Sequence, residues 1–201
     1  MTIDAPRNAR SRRTVAALLA ATRELIEQQG FEAVSMATVA ERAGVSRRAV
    51  YLHFSTRTDL VLAVYRSLGD TEDLAESRAR VWQCEDAAAG LDEWARHIAR
   101  SHPRILAVLR AIERASGADD DAAELWRTTM GHWRTTCRRL AAWLHDDGRL
   151  AEPWTVATAA DMLWSLMSLD LLERLIIDRR WSARRFADHY AALLAATFLR
   201  T

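Results

Sequence analysis

Residues that usually form turns are scarce in this chain. Its 201 residues include only seven glycines and three prolines, too few for the many tight turns of a β-sandwich or a β-barrel. Half of the residues are hydrophobic, which is enough to build a core. Between residues 12 and 29, Leu18, Leu25 and Ile26 fall on one helix face, and Gly30 follows as a C-cap. We therefore predict an all-α fold of about nine helices.

The same spacing predicts the bounds of the helices that follow. A break signal, usually serine or glycine, separates most of them. The predicted helices cover residues 36–43, 47–53, 57–80, 86–100, 103–115, 121–146, 153–179 and 182–200.

Charge is distributed unevenly along the chain. Residues 1–58 contain nine arginines and five acidic residues, a net charge of +4, whereas residues 59–201 carry a net charge of −3. A basic segment beside a mildly acidic body suggests that the segment contacts a polyanion. A non-specific DNA-packaging protein would be basic throughout, so this pattern argues against that class. We predict two domains, residues 1–58 and residues 59–201.

The most informative stretch is residues 35–54, SMATVAERAGVSRRAVYLHF. Ser35 fits the N-cap of one short helix and Ser46 fits the N-cap of a second. Gly44, in the corner between them, can adopt the positive φ that a tight bend requires. Two short helices joined in this way form a helix-turn-helix.

The second helix of this motif begins with Arg47 and Arg48, at the end that would enter a major groove. Arginine is suited to bidentate bonds with guanine. Tyr51, His53 and Arg57 lie further along and could reach phosphates. Tyr51 also fits a core position, and His53 also fits a solvated helix end.

This region resembles the TetR family of bacterial transcriptional regulators. The residues that carry the resemblance are Gly30-Phe31, Ser35-Met36, Val39-Ala40, Ala43-Gly44-Val45-Ser46, Val50-Tyr51, His53-Phe54 and Asp59-Leu60. The resemblance implies an N-terminal DNA-binding domain, a helical body that binds an inducer, and a homodimer. The residues assigned to DNA contact are Ser35, Ser46, Arg47, Arg48, Tyr51, His53 and Arg57, the last standing where the family usually has lysine.

The C-terminal part is rich in tryptophan, with seven of the eight tryptophans at or beyond Trp94. Each tryptophan fits a core position, but as a group they could also line an apolar pocket between helices. Polar residues on the predicted eighth helix could face such a pocket or be satisfied within the core. The candidate ligand-binding residues are Trp126, Trp133, Asp161, Trp164 and Ser165.

The last two predicted helices favour self-association. The eighth is apolar on two faces, so it must pack against its own core and against something else. The ninth carries alanines that permit close helix approach, which together suggest a four-helix interface across a two-fold axis. The candidate interface residues are Leu163, Met167, Leu171, Ala191, Leu194, Ala195 and Phe198.

The sequence shows no catalytic or metal-binding constellation. His97 and His102 are five residues apart, as are His132 and Cys137, which is the wrong spacing for one helix face. We therefore predict no cofactor, no metal and no enzyme activity. The chain has no signal-peptide-like start and no apolar run of membrane length, so we expect a cytoplasmic protein without membrane contact.

These observations together predict a ligand-responsive transcriptional regulator. It would be a homodimeric repressor that binds a palindromic operator in double-stranded DNA and is released from it by a small apolar or amphipathic effector. The alternatives are an activator, or a helical-bundle enzyme with a vestigial helix-turn-helix.

Overall fold

The computed structural model describes residues 9–69 and 72–200. These residues form α1 (Ala9–Gln29), α2 (Met36–Arg42), α3 (Arg47–Tyr51), α4 (Arg57–Gly69), α5 (Glu72–Val81), α6 (Ala87–Ala115), α7 (Asp120–Asp146), α8 (Val156–Leu166), α9 (Leu169–Leu172) and α10 (Ala183–Phe198). A 3-10 turn at Phe31–Ala33 and a π-helical segment at Glu173–Asp178 complete them. The predicted all-α fold is confirmed, and extended pairing within the described residues is limited to one bridge between Leu150 and Leu199.

The chain divides into two compact units. The N-terminal unit comprises Met1–Leu68 and Ala107–Trp126, and the C-terminal unit comprises Gly69–Leu106 and Arg127–Thr201. The predicted domain boundary after residue 58 stays a prediction, because these units are defined by compactness alone. The N-terminal unit takes in twenty residues that are remote in sequence, on α6 and α7.

The core of the N-terminal unit is formed by the helix-turn-helix and the helices around it. Leu18, Leu25 and Ile26 of α1 are buried as predicted. Gly30 has a φ of 89°, a conformation that glycine adopts without steric cost, and the next residue, Phe31, is fully buried in this core. The remote segment adds Val108, Ile112, Ala115, Ala122 and Leu125 to the same core.

The core of the C-terminal unit draws on α6, α7, α8 and α10. Leu91, Leu140, Leu163 and Phe186 are among its fully buried members. A Cβ on Gly90 would lie 2.4 Å from the Trp143 ring, so only glycine lets α6 and this ring approach so closely.

Helix α6 corrects one predicted boundary. The chain was expected to form two helices, ending near residue 100 and restarting at Pro103, but α6 runs unbroken from Ala87 to Ala115. Proline has no N–H for the carbonyl four residues earlier and usually kinks a helix. Here Ile98, Ile105 and Leu106 are all buried on either side of the exposed Pro103, so side-chain burial outweighs the local break.

The helix expected over residues 57–80 is found as α4 up to residue 69 and as α5 from residue 72, and the residues between them lie outside the described ranges. One other predicted helix is divided in the structure. The helix expected over residues 153–179 is α8, α9 and the π-helical segment, because the Ser168 hydroxyl accepts a bond from the Leu171 N–H at 3.2 Å and starts a new helix. The serine was visible in the sequence, but an N-cap inside an apolar run is hard to separate from a polar face.

Candidate nucleic-acid interface

Reciprocal hydrogen bonds fix the start of α2. The Ser35 hydroxyl accepts from the Thr38 N–H at 3.1 Å, and the Thr38 hydroxyl accepts from the Ser35 N–H at 2.9 Å. This capping box satisfies two N–H groups that a helix start leaves open. Ser35 is exposed, which is compatible with the predicted DNA contact. Its hydroxyl already accepts a hydrogen bond in the helix cap.

The turn into α3 is equally well defined. Gly44 has a φ of 66°, which suits glycine, and the Val45 N–H bonds the Ala40 carbonyl at 3.0 Å. The Ser46 hydroxyl then accepts from the Ala49 N–H at 3.2 Å and caps α3. Val50 is fully buried, so one residue of α3 anchors it in the core and the opposite face is turned outward.

The outward face of α3 carries the predicted DNA-contacting side chains. Arg47 and Arg48 are exposed on its first turn, and Tyr51 at its end is 53% exposed. Within the part of the chain that the structure describes, neither arginine forms an ion pair. His53 is half-buried just after the helix.

Arg57 is placed differently from these residues. Its guanidinium forms a salt bridge with Asp119, lies 3.6 Å from the Asp121 carboxylate, and sits 4.6 Å above the Phe31 ring. A DNA phosphate at Arg57 would therefore have to compete with the Asp119 carboxylate for the guanidinium. Sequence reasoning missed Asp119 because it is 62 residues away from Arg57.

The Asp119 carboxylate bonds to two elements of the N-terminal unit. Besides the Arg57 guanidinium, it accepts the Ala122 N–H at 3.0 Å at the start of α7. Partial burial raises the pKa of Asp119, but the Ala122 N–H and the Arg57 guanidinium outweigh this effect and hold the pKa below its ordinary value. The carboxylate is therefore charged near neutral pH and joins the start of α4 to the start of α7.

The structure does not bring the five predicted ligand-binding residues together. Trp133 and Trp164 pack against the core of the C-terminal unit, whereas Trp126 packs against the core of the N-terminal unit. Asp161 and Ser165 are exposed, and the Ser165 hydroxyl donates to the Asp161 carbonyl at 2.8 Å. The expectation that these two polar residues face an interior pocket is wrong, because they lie on the solvent side of α8.

The predicted dimer residues also separate into two groups. Leu163, Met167, Leu194 and Phe198 are buried in the core of the C-terminal unit, so they cannot face a partner and those assignments are wrong. Leu171, Ala191 and Ala195 are half-buried. The apolar periodicity gave no sign of which apolar face of each helix meets the core. Met162 and Leu193, which are 40% and 44% exposed, lie on the outer faces of α8 and α10.

A short arginine-bearing helix, capped and anchored behind a tight turn, defines a helix-turn-helix protein. Residues 18–64 match the family described as "Bacterial regulatory proteins, tetR family". This part of the chain, which includes the helix-turn-helix, thus matches that family, as the resemblance of the N-terminal residues implied.

Two curated relatives match this region of the sequence. The transcriptional regulator TtgR of Pseudomonas putida is 36% identical over 73 residues, which are 36% of this chain and 33% of TtgR. The transcriptional activator FasR of Mycolicibacterium smegmatis is 45% identical over 47 residues, which are 23% of this chain and 22% of FasR. The chain thus matches at most about a third of the length of these relatives.

Solved structures match nearly the whole chain. NalD, the secondary repressor of the MexAB-OprM multidrug efflux pump in Pseudomonas aeruginosa, has a TM-score of 0.75 at 22% identity and covers 96% of this chain and 99% of its own. The SmeT–triclosan complex has a TM-score of 0.74 at 17% identity and covers 93% of this chain and 92% of its own. These likenesses show the fold. Among the described residues no helix has the length and apolar character needed to span a membrane.

Proposed function

We propose that the protein is a homodimeric transcriptional regulator that binds a palindromic operator and is released from it by a small, largely apolar effector. Helix α3 of each protomer would enter the major groove. In such dimers the two recognition helices read half-sites about 34–36 Å apart. Repression is the direction we favour, while an activator, the function named for FasR, is the second candidate.

The outward face of α3 is the observation that carries this proposal. Arg47 and Arg48 are exposed on the first turn of a helix whose other side is anchored by the buried Val50. Another exposed arginine of the N-terminal unit, Arg23, is by contrast paired with Glu27 at 2.6 Å. Two exposed guanidinium groups without acidic partners among the described residues are suited to phosphates and base edges.

The dimer interface is proposed from exposed apolar side chains. Met162 on α8 and Leu193 on α10 expose apolar surface to water. Burying this surface against a second copy of the chain would be favourable. Leu193→Glu would place a charge in the contact and should yield a folded monomer that no longer binds the palindrome. Ala183→Glu, exposed at the start of α10, is the control and should remain dimeric. A dimeric Leu193→Glu protein would place the interface elsewhere.

DNA binding is tested on the DNA that flanks the coding gene, by fluorescence anisotropy over a range of salt concentrations. The wild-type protein should prefer a palindromic fragment over a scrambled one. Arg48→Ala should weaken specific binding by about 1–3 kcal/mol if the side chain contacts a base. Arg23→Ala, an exposed arginine on α1 that pairs with Glu27, is the matched control and should bind as the wild type does. Equal affinity of the Arg48→Ala and wild-type proteins would remove α3 from the interface.

A further inference from the structure

Three polar atoms in the interior of the C-terminal unit have no hydrogen-bond partner among the described residues. They are the indole Nε1 of Trp94, Nε2 of His102 and the hydroxyl of Tyr190. The three side chains are only 5%, 2% and 4% exposed. Buried polar groups are nearly always bonded, because removing them from water is otherwise costly. Three such groups in one unit indicate that something besides the chain bonds them.

The bonds around His102 show which kind of partner its free nitrogen needs. The Ser101 hydroxyl donates to the His97 carbonyl at 2.8 Å, so its proton is already used. Its oxygen lies 3.3 Å from His102 Nδ1, and the Ile98 backbone also bonds this ring. Two acceptors near Nδ1 place the single proton of the neutral ring there. Nε2 therefore carries a lone pair and requires a donor.

The other two groups complement this acceptor. An indole N–H can only donate, so Trp94 requires an acceptor, whereas the Tyr190 hydroxyl can do either. Trp94 and Tyr190 belong to the same core, and the His102 ring lies 5.0 Å from the ring of Trp133, which packs against that core. A molecule that both donates and accepts would satisfy what the chain leaves open.

The surroundings of these groups are apolar and without free charge. Tyr190 stacks on Phe186 at 5.1 Å, and the Cys137 thiol lies 3.5 Å from the Met167 sulfur. The neighbouring His97 is already bonded to Ser77, which accepts in turn from Arg100, and Arg100 is paired with Glu93. A charged ligand would be buried here without a counter-ion, which is strongly unfavourable.

We propose that the C-terminal unit binds an uncharged aromatic molecule bearing a hydroxyl, a phenol, which donates to His102 Nε2 and accepts from the Trp94 indole or the Tyr190 hydroxyl. This inference rests on the proposed function, because the phenol would be the effector. It adds the chemical class of the effector and names the three groups that recognise it. Ordered water is the competing occupant, since it too can donate and accept.

The test uses matched ligands that differ by one methyl group. Phenol, para-butylphenol and naphthol are each compared with their methyl ethers by calorimetry on the full-length protein. An ether oxygen accepts but cannot donate, so the methyl ether leaves His102 Nε2 without a partner. We expect at least one phenol to bind, and to bind at least about tenfold more tightly than its ether, because sites that bond a hydroxyl discriminate strongly against analogues without one.

Variants assign this preference to residues. His102→Phe should abolish the preference for the phenol, and Tyr190→Phe, which removes a single oxygen, should weaken phenol binding more than ether binding. His97→Phe makes the same change at a histidine whose Nδ1 is already bonded, and His189→Phe makes it at the exposed His189 on α10. Both controls should keep the wild-type ratio. If His102→Phe does not fold, Tyr190→Phe alone decides.

Three outcomes would overturn the inference: no phenol binds, phenol and ether bind equally, or the preference survives both His102→Phe and Tyr190→Phe. The first of these assigns the three groups to water. Binding is measured without DNA, so it is independent of the regulatory proposal. Operator affinity, measured in parallel on the same protein, separates the two. A phenol preference without any effect on operator binding would leave the site intact and remove its regulatory role.

Discussion

The two units of this protein differ in where they place polar groups that lack a partner. In the N-terminal unit, the guanidinium groups of Arg47 and Arg48 are exposed on the outward face of α3 and have no acidic partner among the described residues. In the C-terminal unit, some surface arginines are paired, as Arg104 is with Asp73 at 2.7 Å, and three polar groups without a partner lie in the interior. The first arrangement suits contact with a large charged partner, and the second suits a small neutral one.

Two buried atoms of the N-terminal unit also have no hydrogen bond of their own among the described residues, the hydroxyl of Thr58 and Nε of Arg110. The Arg110 guanidinium is bonded to Glu113 through another of its nitrogens at 2.6 Å, and Thr58 stands alone near the start of α4. Trp94, His102 and Tyr190 belong to a single unit rich in aromatic rings, which is the reason that the ligand proposal is placed in the C-terminal unit.

The largest expected effect is a loss of stability of the N-terminal unit. Phe31 is fully buried and lies beneath the Arg57 guanidinium. Phe31→Ala should lower the free energy of unfolding by about 3–5 kcal/mol, since it removes a large ring from a packed core. Chemical denaturation monitored by circular dichroism measures the loss. Glu32→Ala, a neighbouring exposed side chain, should change stability very little, and a comparable loss there would contradict the argument.

A change of pH should act on the C-terminal unit through its two buried histidines. Burial, together with Arg100, lowers the pKa of His97 to about 4, and burial, together with His97, lowers the pKa of His102 to about 3, both from 6.5. The unfolded chain takes up these protons below about pH 6.5 while the folded protein does not. Stability is therefore fully present above pH 6.5 and falls as the pH drops toward the folded pKa values, by up to about 1.4 kcal/mol per pH unit for each histidine.

Denaturation between about pH 5 and pH 7 measures this slope, above the range in which most carboxylates titrate. His102→Phe should remove roughly half of it. An unchanged slope in that variant would mean that His102 is not held neutral in the folded protein. His189→Phe, at an exposed position, should leave the slope as it is in the wild type.

The smallest effect concerns the ion pair between Arg57 and Asp119. Breaking a partly exposed pair costs about 1 kcal/mol or less. The pair is nevertheless informative because the sign of the change in DNA affinity shows whether phosphate competes for Arg57. If phosphate competes with Asp119 for Arg57, Asp119→Asn should raise DNA affinity and Arg57→Ala should lower it and reduce the salt slope by about one.

An alternative outcome separates the two roles of Arg57. If the arginine only joins α4 to α7, both variants should lower DNA affinity, because each loosens the same connection. Anisotropy titrations at several salt concentrations distinguish these patterns. Asp121→Asn is the control, since its carboxylate lies further from the guanidinium and is more exposed, and it should have little effect.

The sequence predicted features whose signals are local. The helix-turn-helix follows from Ser35, Gly44 and Ser46, which act on backbone within a few residues of themselves, and the structure confirms this motif. Features that depend on distant parts of the chain escaped prediction. The partner of Arg57 lies 62 residues away, and no periodicity reveals that pairing.

The same limit explains the errors on α8 and α10. Their apolar residues are visible in the sequence, but Leu163 faces the core while Met162 faces outward. Both faces are apolar, so hydrophobicity does not distinguish them. His102 is missed for a related reason, because a histidine outside any metal-ligand spacing gives no sign that its ring will be buried with one nitrogen unpaired.

The composition of the N-terminal unit from two separate stretches of chain has a consequence for how hybrid proteins can be built from it. Residues 1–68 alone would lack Val108, Ile112 and Leu125, which complete their core. A hybrid that joined residues 1–68 directly to a foreign domain would expose the faces that those residues cover. The N-terminal unit is transferable only together with residues 107–126, so a hybrid chain has to be joined within α6 and α7 rather than at the end of α4.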